Sequence, residues 1–320
     1  MDFSKLSLID LHCDTLCEIE RHQSSLLEND LDVSLQTVAP YEHYAQFFAS
    51  WCSSRLDDNQ GYERFLRMAD YLDTQLAIPE ISARMVKVTS GEELDAAWAQ
   101  NKHAAILAIE DARILAGDIS RLDTLAARGV RYATLQWGGQ TCIGGSHDTE
   151  LGLTDFGKAV THRCFDLGIV PDLSHTCAQS AQDAIDIAVT YNKPVIASHS
   201  NAYSVYAHSR NLRDEHFAAI RDLGGLVGLN FFRGHLCNSD ERLADVSDLV
   251  RHLEHYLSMN GENTVAIGGD WDGARLPEGF SNIGDATKLA QELDRLGYDE
   301  QLIHKLFYGN AVAFIRNHLR

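Results

Sequence analysis

Three histidines and three acids in this chain stand where a divalent cation could be held. His12 and Asp14 close the apolar run Leu6-Ser7-Leu8-Ile9. In an extended strand, residues two apart share a face about 6–7 Å from one another, so imidazole and carboxylate can both reach one ion. Glu110, His175, His199 and Asp270 each end another apolar run. Any one of them has an ordinary explanation as a helix cap, a core histidine or the start of a turn. Six at equivalent positions point to a shared site. The set exceeds the three protein ligands of a catalytic tetrahedral zinc. Six ligands around a central carboxylate suit two ions about 3.5–4 Å apart bridged by it, a pair that lowers the pKa of a water and polarises a carbonyl under attack.

The runs that must position these residues are 6–12, 45–51, 104–110, 132–136, 169–175, 195–199, 226–231 and 265–270, read as strands. Helices separate them. Asp155–Leu167 follows Thr154, a good N-cap, and stops at Gly168. The segment 214–223 has acids in its first turn and Gly224-Gly225 beyond its end. In 246–257 the apolar positions 246, 249, 250, 253, 256 and 257 follow the 3.6-residue period. Eight alternating units predict an α/β fold, a (β/α)₈ barrel of the TIM type with helical insertions, forming a single domain over 1–320. The segment 53–89 reads as an additional helical layer. The rival is an open doubly wound sheet, but no G-x-G-x-x-G follows the first strand.

The chain has 320 residues, 45% of them hydrophobic, and a formal net charge of −19. That charge argues against nucleic acid or an anionic membrane as partner, because phosphate binding needs clustered Lys and Arg. No run approaches a membrane span, and the first residues lack the basic and apolar pattern of a secretory signal. Seven scattered cysteines fit a reducing compartment better than a disulfide framework. The expectation is a soluble, cytoplasmic protein.

The segments Asp10-Leu11-His12-Cys13-Asp14, Ala108-Ile109-Glu110 and Gly152-Leu153-Thr154-Asp155-Phe156-Gly157 occur in order along the chain. They are followed by Asp172-Leu173-Ser174-His175, Pro194-Val195-Ile196-Ala197-Ser198-His199-Ser200 and Ser209-Arg210-Asn211-Leu212. Gly224-Gly225-Leu226-Val227-Gly228-Leu229-Asn230-Phe231 and Gly268-Gly269-Asp270-Trp271-Asp272-Gly273 complete the series. Together they resemble the membrane (renal-type) dipeptidase family of the amidohydrolase superfamily, whose first strand ends in H-x-D instead of the commoner H-x-H.

The resemblance implies a zinc-dependent dipeptidase with two Zn²⁺ per chain, cutting dipeptides with a free C-terminal carboxylate through a metal-activated hydroxide. His12, Asp14 and Asp270 would hold one ion, His175 and His199 the other, with Glu110 between them. Asp270 would carry the proton from the attacking water to the leaving amine, and Arg210 would read the substrate carboxylate. The partner is then a small dipeptide, with neither nucleic acid nor membrane, and a homodimer is left open.

Two positions depart from the family. Trp137 in Leu135-Gln136-Trp137-Gly138 replaces the histidine of Thr-His-Asn that assists the scissile carbonyl, and Phe232 replaces a tyrosine. Trp137 is expected to line the substrate pocket and His147 to serve as a substitute donor. A relative that hydrolyses another amide or ester (an N-acyl amino acid, a lactone or a β-lactam) is the alternative. A non-catalytic metal scaffold is disfavoured by the presence of both Asp270 and Glu110.

Overall fold

The computed structural model describes residues 2–237 and 242–320. Its strands are β1 (Leu8–Cys13), β2 (Tyr44–Trp51), β3 (Met85–Lys87), β4 (His103–Glu110), β5 (Val130–Thr134), β6 (Val170–Asp172), β7 (Val227–Leu229) and β8 (Val265–Ile267). They form one parallel sheet in the order β6-β5-β4-β2-β1-β8-β7, with β3 attached to β4 off this path. Two parallel bridges, Asp172 to Ile196 and Ala197 to Val227, join β6 to β7 through residues 196–197. The ring therefore closes, and closure removes both sheet edges. The rival open sheet is excluded.

All eight expected strands take part, but several are shorter than their apolar runs. The sixth is only the bridge pair at 196–197, and His175 and Asp270 lie three residues beyond β6 and β8, in loops. The segment 53–89 is helical over Asp58–Ala77 as expected, yet it also contains β3, which pairs with β4 through Met85–His103, Val86–Ala104 and Lys87–Ala105. A three-residue strand attached outside the ring is too short to show a period.

The helix signals hold. Thr154 accepts a hydrogen bond from the Gly157 N–H at 2.9 Å, and Gly168 closes the helix at φ 72°. Helix Val246–Ser258 buries Leu249, Val250, Leu253 and Tyr256. Among the described residues no helix is long and apolar enough to cross a membrane.

Two cores hold the ring. One draws on every ring strand (Ile9 and Leu11, Phe47, Ile106, Tyr132, Val170, Ile196, Leu226 and Ala266) and includes Ala311, Val312 and Ile315 of the last helix. Only the interior of a ring brings all its strands together. The other seats the sheet against the helices, with Leu8, Cys13, Phe48 and Leu107 against Leu16, Phe65 and Leu253. Leu11 and Cys13, which simple alternation puts on one face, join different cores, because the β1–β2 register shifts between Asp10 and Cys13. That shift turns the end of β1 toward the mouth of the ring.

Candidate active site

His12 sits within β1 and Glu110 ends β4, while Asp14 lies just past β1 at the N-cap position of helix Thr15–His22, its side chain making no capping bond. His12 and Asp14 do meet, Nε2 to Oδ2 at 3.7 Å, but not by the expected strand alternation: Asp14 is outside the strand, with φ −95° and ψ 6°. The backbone hydrogen bonds from Asp14 N–H to the Trp271 carbonyl (2.8 Å) and from Asp270 N–H to the His12 carbonyl (3.1 Å) tie the two ends of the chain at this point. His175, Asp270 and Asp272 hold left-handed backbones at φ 69°, 61° and 64°. Such conformations cost of order 1–3 kcal/mol each and persist where tertiary structure imposes them.

The three imidazoles are oriented alike. His12 Nδ1 lies 2.9 Å from the Tyr132 hydroxyl, which itself donates to the Leu11 carbonyl at 3.0 Å. Tyr132 can thus only accept from His12, so Nδ1 carries the hydrogen. His199 Nδ1 lies 2.7 Å from Ser198 Oγ, and that hydroxyl donates to Asp172 Oδ2 at 2.6 Å. His175 Nδ1 donates to the Trp137 carbonyl at 3.0 Å. All three rings therefore turn a bare Nε2 lone pair inward. These meet around Glu110 Oε1 at 3.6 Å for His12, 3.0 Å for His175 and 3.4 Å for His199. The Nε2 atoms of His175 and His199 are 3.0 Å apart. His12 Nε2 also faces Asp14 Oδ2 at 3.7 Å and Asp270 Oδ1 at 4.0 Å, and is buried without a hydrogen-bond partner.

Imidazole nitrogens and carboxylate oxygens crowded at these distances fit cations. The groups His12–Asp14–Glu110 and Glu110–His175–His199 share Glu110, and His12–His199–Asp270 is a third, each with its ligand atoms within 4.8 Å of one another. The charge balance agrees. Burial pushes Glu110 upward, and Asp14 and Asp270 add to this against the pull of His12. Burial with Asp14 pushes Asp270 up to about 7. Burial opposes a charge on His12, yet Glu110, Asp14 and Asp270 raise it to about 10. A proton and a metal ion compete for that one lone pair. Burial, reinforced by Arg210 and by neighbouring histidines, holds His175 and His199 well below the usual range, in the neutral form that ligates.

Buried acids support this shell. Asp10 Oδ1 accepts from the His12 N–H (3.0 Å) and Gln46 Nε2 (2.9 Å), and its Oδ2 from Gly269 N–H and Trp271 Nε1, both at 2.9 Å. Asp172 accepts from the Ser174 and Ser198 N–H groups and from Thr134 Oγ1. A Cβ added at Gly273 would stand 2.0 Å from Asp14 Oδ2, so only glycine allows that approach. Tyr132, Asp10, Asp172 and Ser198 do not stand out as site residues from sequence. The aspartates lie inside quoted motifs, but Tyr132 carries no local signal.

A cavity of about 500 Å³ opens beside this cluster. It is lined by Asp14, Glu110, His175 and Asp270, and by Trp137, His147, Arg210 and Phe232. All the expected substrate residues are therefore brought to it. Arg210 is 5% exposed; among the described residues its guanidinium makes one hydrogen bond, Nη2 to the His199 carbonyl at 3.3 Å, and its buried Nε has no partner. His147 Nδ1 lies 3.1 Å from Ser209 Oγ, and burial with Arg210 lowers its pKa to about 4. Trp137 meets Trp51 edge-on at 5.2 Å and lies over His175 at 6.0 Å. Its carbonyl, not its ring, orients His175, a task any residue there can perform.

Comparison with known proteins agrees. The sequence profile of the membrane dipeptidase family (peptidase family M19) matches residues 3–318. An uncharacterized protein from the pqqA 5′ region of Klebsiella pneumoniae is 32% identical over 224 residues, 67% of this chain and 82% of its own. The crystal structure of dipeptidase AC, a metallopeptidase of family M19, superposes with a TM-score of 0.90 at 26% identity, covering 98% of this chain and 99% of the other. A metallopeptidase from Rhodobacter sphaeroides, liganded with a phosphinate mimic of the dipeptide L-Ala-D-Ala, gives 0.89 at 25% identity over 98% and 99% of the two chains. With a metal-fitting cluster at the mouth of a closed barrel and a matching profile along nearly its whole length, this chain belongs to the membrane dipeptidase family and is a metallo-dipeptidase.

Proposed function

We propose that the chain is a two-zinc dipeptidase acting on dipeptides with a free C-terminal carboxylate. The observation that carries this reading is the convergence of three imidazole Nε2 atoms on Glu110, with Asp14 and Asp270 beside them. Imidazole and carboxylate together suit zinc. His12, Asp14 and Asp270 would hold one ion and His175 and His199 the other, with Glu110 within reach of both groups. Bound ions supply Lewis-acid polarisation of the scissile carbonyl and ease loss of a proton from water.

The chain's own groups do the rest. Asp270, held through Oδ2 by Asn230 Nδ2 at 3.4 Å, takes the proton of the attacking water and passes it to the leaving amine. Arg210 presents a guanidinium with almost no internal partner, and its planar fork suits a carboxylate. Trp137 and Phe232 close the walls, and His147 stands near His175 as a donor. A dipeptide-sized ligand in the Rhodobacter sphaeroides relative supports a substrate of that size.

The test is elemental analysis and turnover of the metal-loaded protein with dipeptides, their C-terminally amidated forms and N-acyl amino acids. Two ions per chain and strong discrimination against the amides are expected. Arg210→Lys should raise KM for free dipeptides far more than for amides. One ion at most, or equal effects on both substrate types, would overturn the reading.

A further inference from the structure

The cavity wall places a carboxylate, Glu18, and a guanidinium, Arg210, behind different strands of the ring. Glu18 follows β1, Asp272 follows β8 and Trp51 ends β2, three neighbours in the ring. Across the mouth, Arg210 follows the 196–197 bridge, between His147 and Asp148 after β5 and His235 after β7, and burial lowers the pKa of both imidazoles. On the acidic side most carboxylates are committed. Asp14 belongs to the ligand cluster. Asp272 accepts from Thr15 Oγ1 at 2.6 Å and from the Asp32 N–H at 2.7 Å. Glu18 is not so committed. Its neighbours are Arg21 (3.7 Å) and His22 (3.3 Å) on its own helix, whose side chains are 66% and 57% exposed.

An aromatic wall leads to Glu18. The Trp51 backbone N–H donates to Cys17 Sγ at 3.1 Å, which places the end of β2 against the helix that carries Glu18. Trp137 extends the wall back to His175. Indole rings and a carboxylate lining one cavity are the chemistry that recognises an organic cation. Direction comes from the opposite side, where the 95%-buried, nearly unpartnered guanidinium of Arg210 lines the same cavity. With a substrate carboxylate on Arg210 and the scissile bond at the metal cluster, the N-terminal residue lies along Trp137 and Trp51 toward Glu18.

We propose that Glu18, with Trp51 and Trp137, selects dipeptides whose N-terminal residue carries a positively charged side chain of the lysine or arginine type. This rests on the dipeptidase reading above.

The experiment compares kcat/KM of the metal-loaded enzyme for Lys-Ala and norleucine-Ala, which match in chain length and differ in charge. The wild type should favour Lys-Ala by about 10-fold, the scale of an ion pair and a cation–π contact acting together, and less so as salt rises. Glu18→Gln should bring the ratio to about twofold or less, Trp137→Ala should lower it, and Glu18→Lys should shift preference toward Glu-Ala. Being a ratio within each variant, the readout is insensitive to partial loss of folded or metal-loaded enzyme. A wild-type ratio near one, or an unchanged ratio in Glu18→Gln, overturns the inference while norleucine-Ala turnover leaves the dipeptidase reading standing. Failure to cleave any dipeptide defeats both.

Discussion

Replacing Tyr132 with Phe tests whether metal affinity depends on the imidazole orientation described above. The ring is 1% exposed and packs on Phe47 at 5.4 Å, so Phe fills the same space and only the hydroxyl is lost. That hydroxyl is the acceptor for His12 Nδ1, a group with no exposure to water. Leaving a buried donor unsatisfied costs about 1–3 kcal/mol. At about 2–4 °C for each kcal/mol in a large chain, the metal-free protein should unfold about 2–12 °C lower. His12 can escape the cost by moving its hydrogen to Nε2, which removes the lone pair an ion needs. Loss of such an outer partner lowers metal affinity about 10–100-fold. Competition against a chromophoric chelator measures this, with circular dichroism to check the fold, and activity should recover as zinc is raised. A folded Tyr132→Phe protein that binds both ions within about twofold of wild type would show that the hydroxyl does not set the tautomer.

Three further outcomes are expected. Asp270→Asn should keep the fold but cut kcat by roughly 100-fold or more, as for loss of acid–base catalysis, with metal content measured alongside; near-normal turnover would end its role. Gly273→Ala puts a methyl 2.0 Å from Asp14 Oδ2 and 2.8 Å from Asp270 Oδ1, so elemental analysis should find fewer than two ions in folded protein, and full occupancy would contradict the geometry. His252 is fully buried; its Nδ1 accepts from the Ala202 N–H and its Nε2 donates to the Leu236 carbonyl, both at 3.0 Å. Burial lowers its pKa to about 4 from an ordinary value of 6.5. Because the folded value is depressed, this contribution is present above about pH 6.5 and is lost as pH falls toward 4, by about 1.4 kcal/mol per pH unit. Urea unfolding across that window should show a weaker acid dependence in His252→Gln, and equal slopes would refute the assignment.

Much of the design is local and therefore legible in the chain. Apolar runs such as 104–110 are buried on both faces, and alternate with helices marked by Thr154, Gly168 and the 246–257 period, so a ring of eight units can be counted. The six candidate ligands declare themselves by type and by position at the ends of those runs. What tertiary structure alone decided is how they are held. The partner of His12 Nδ1 is Tyr132, 120 residues away, and Asp10 meets Trp271 across 261. No local pattern encodes a contact made only when the ring closes. The register shift at Asp10–Cys13, the left-handed backbones of His175 and Asp270, and the reduction of the sixth strand to a bridge pair are likewise imposed by packing against neighbours. Residue type supplies the chemistry of each ligand. Ring closure supplies the distances, the desolvation and the hydrogen-bond partners that turn three imidazole lone pairs toward one carboxylate.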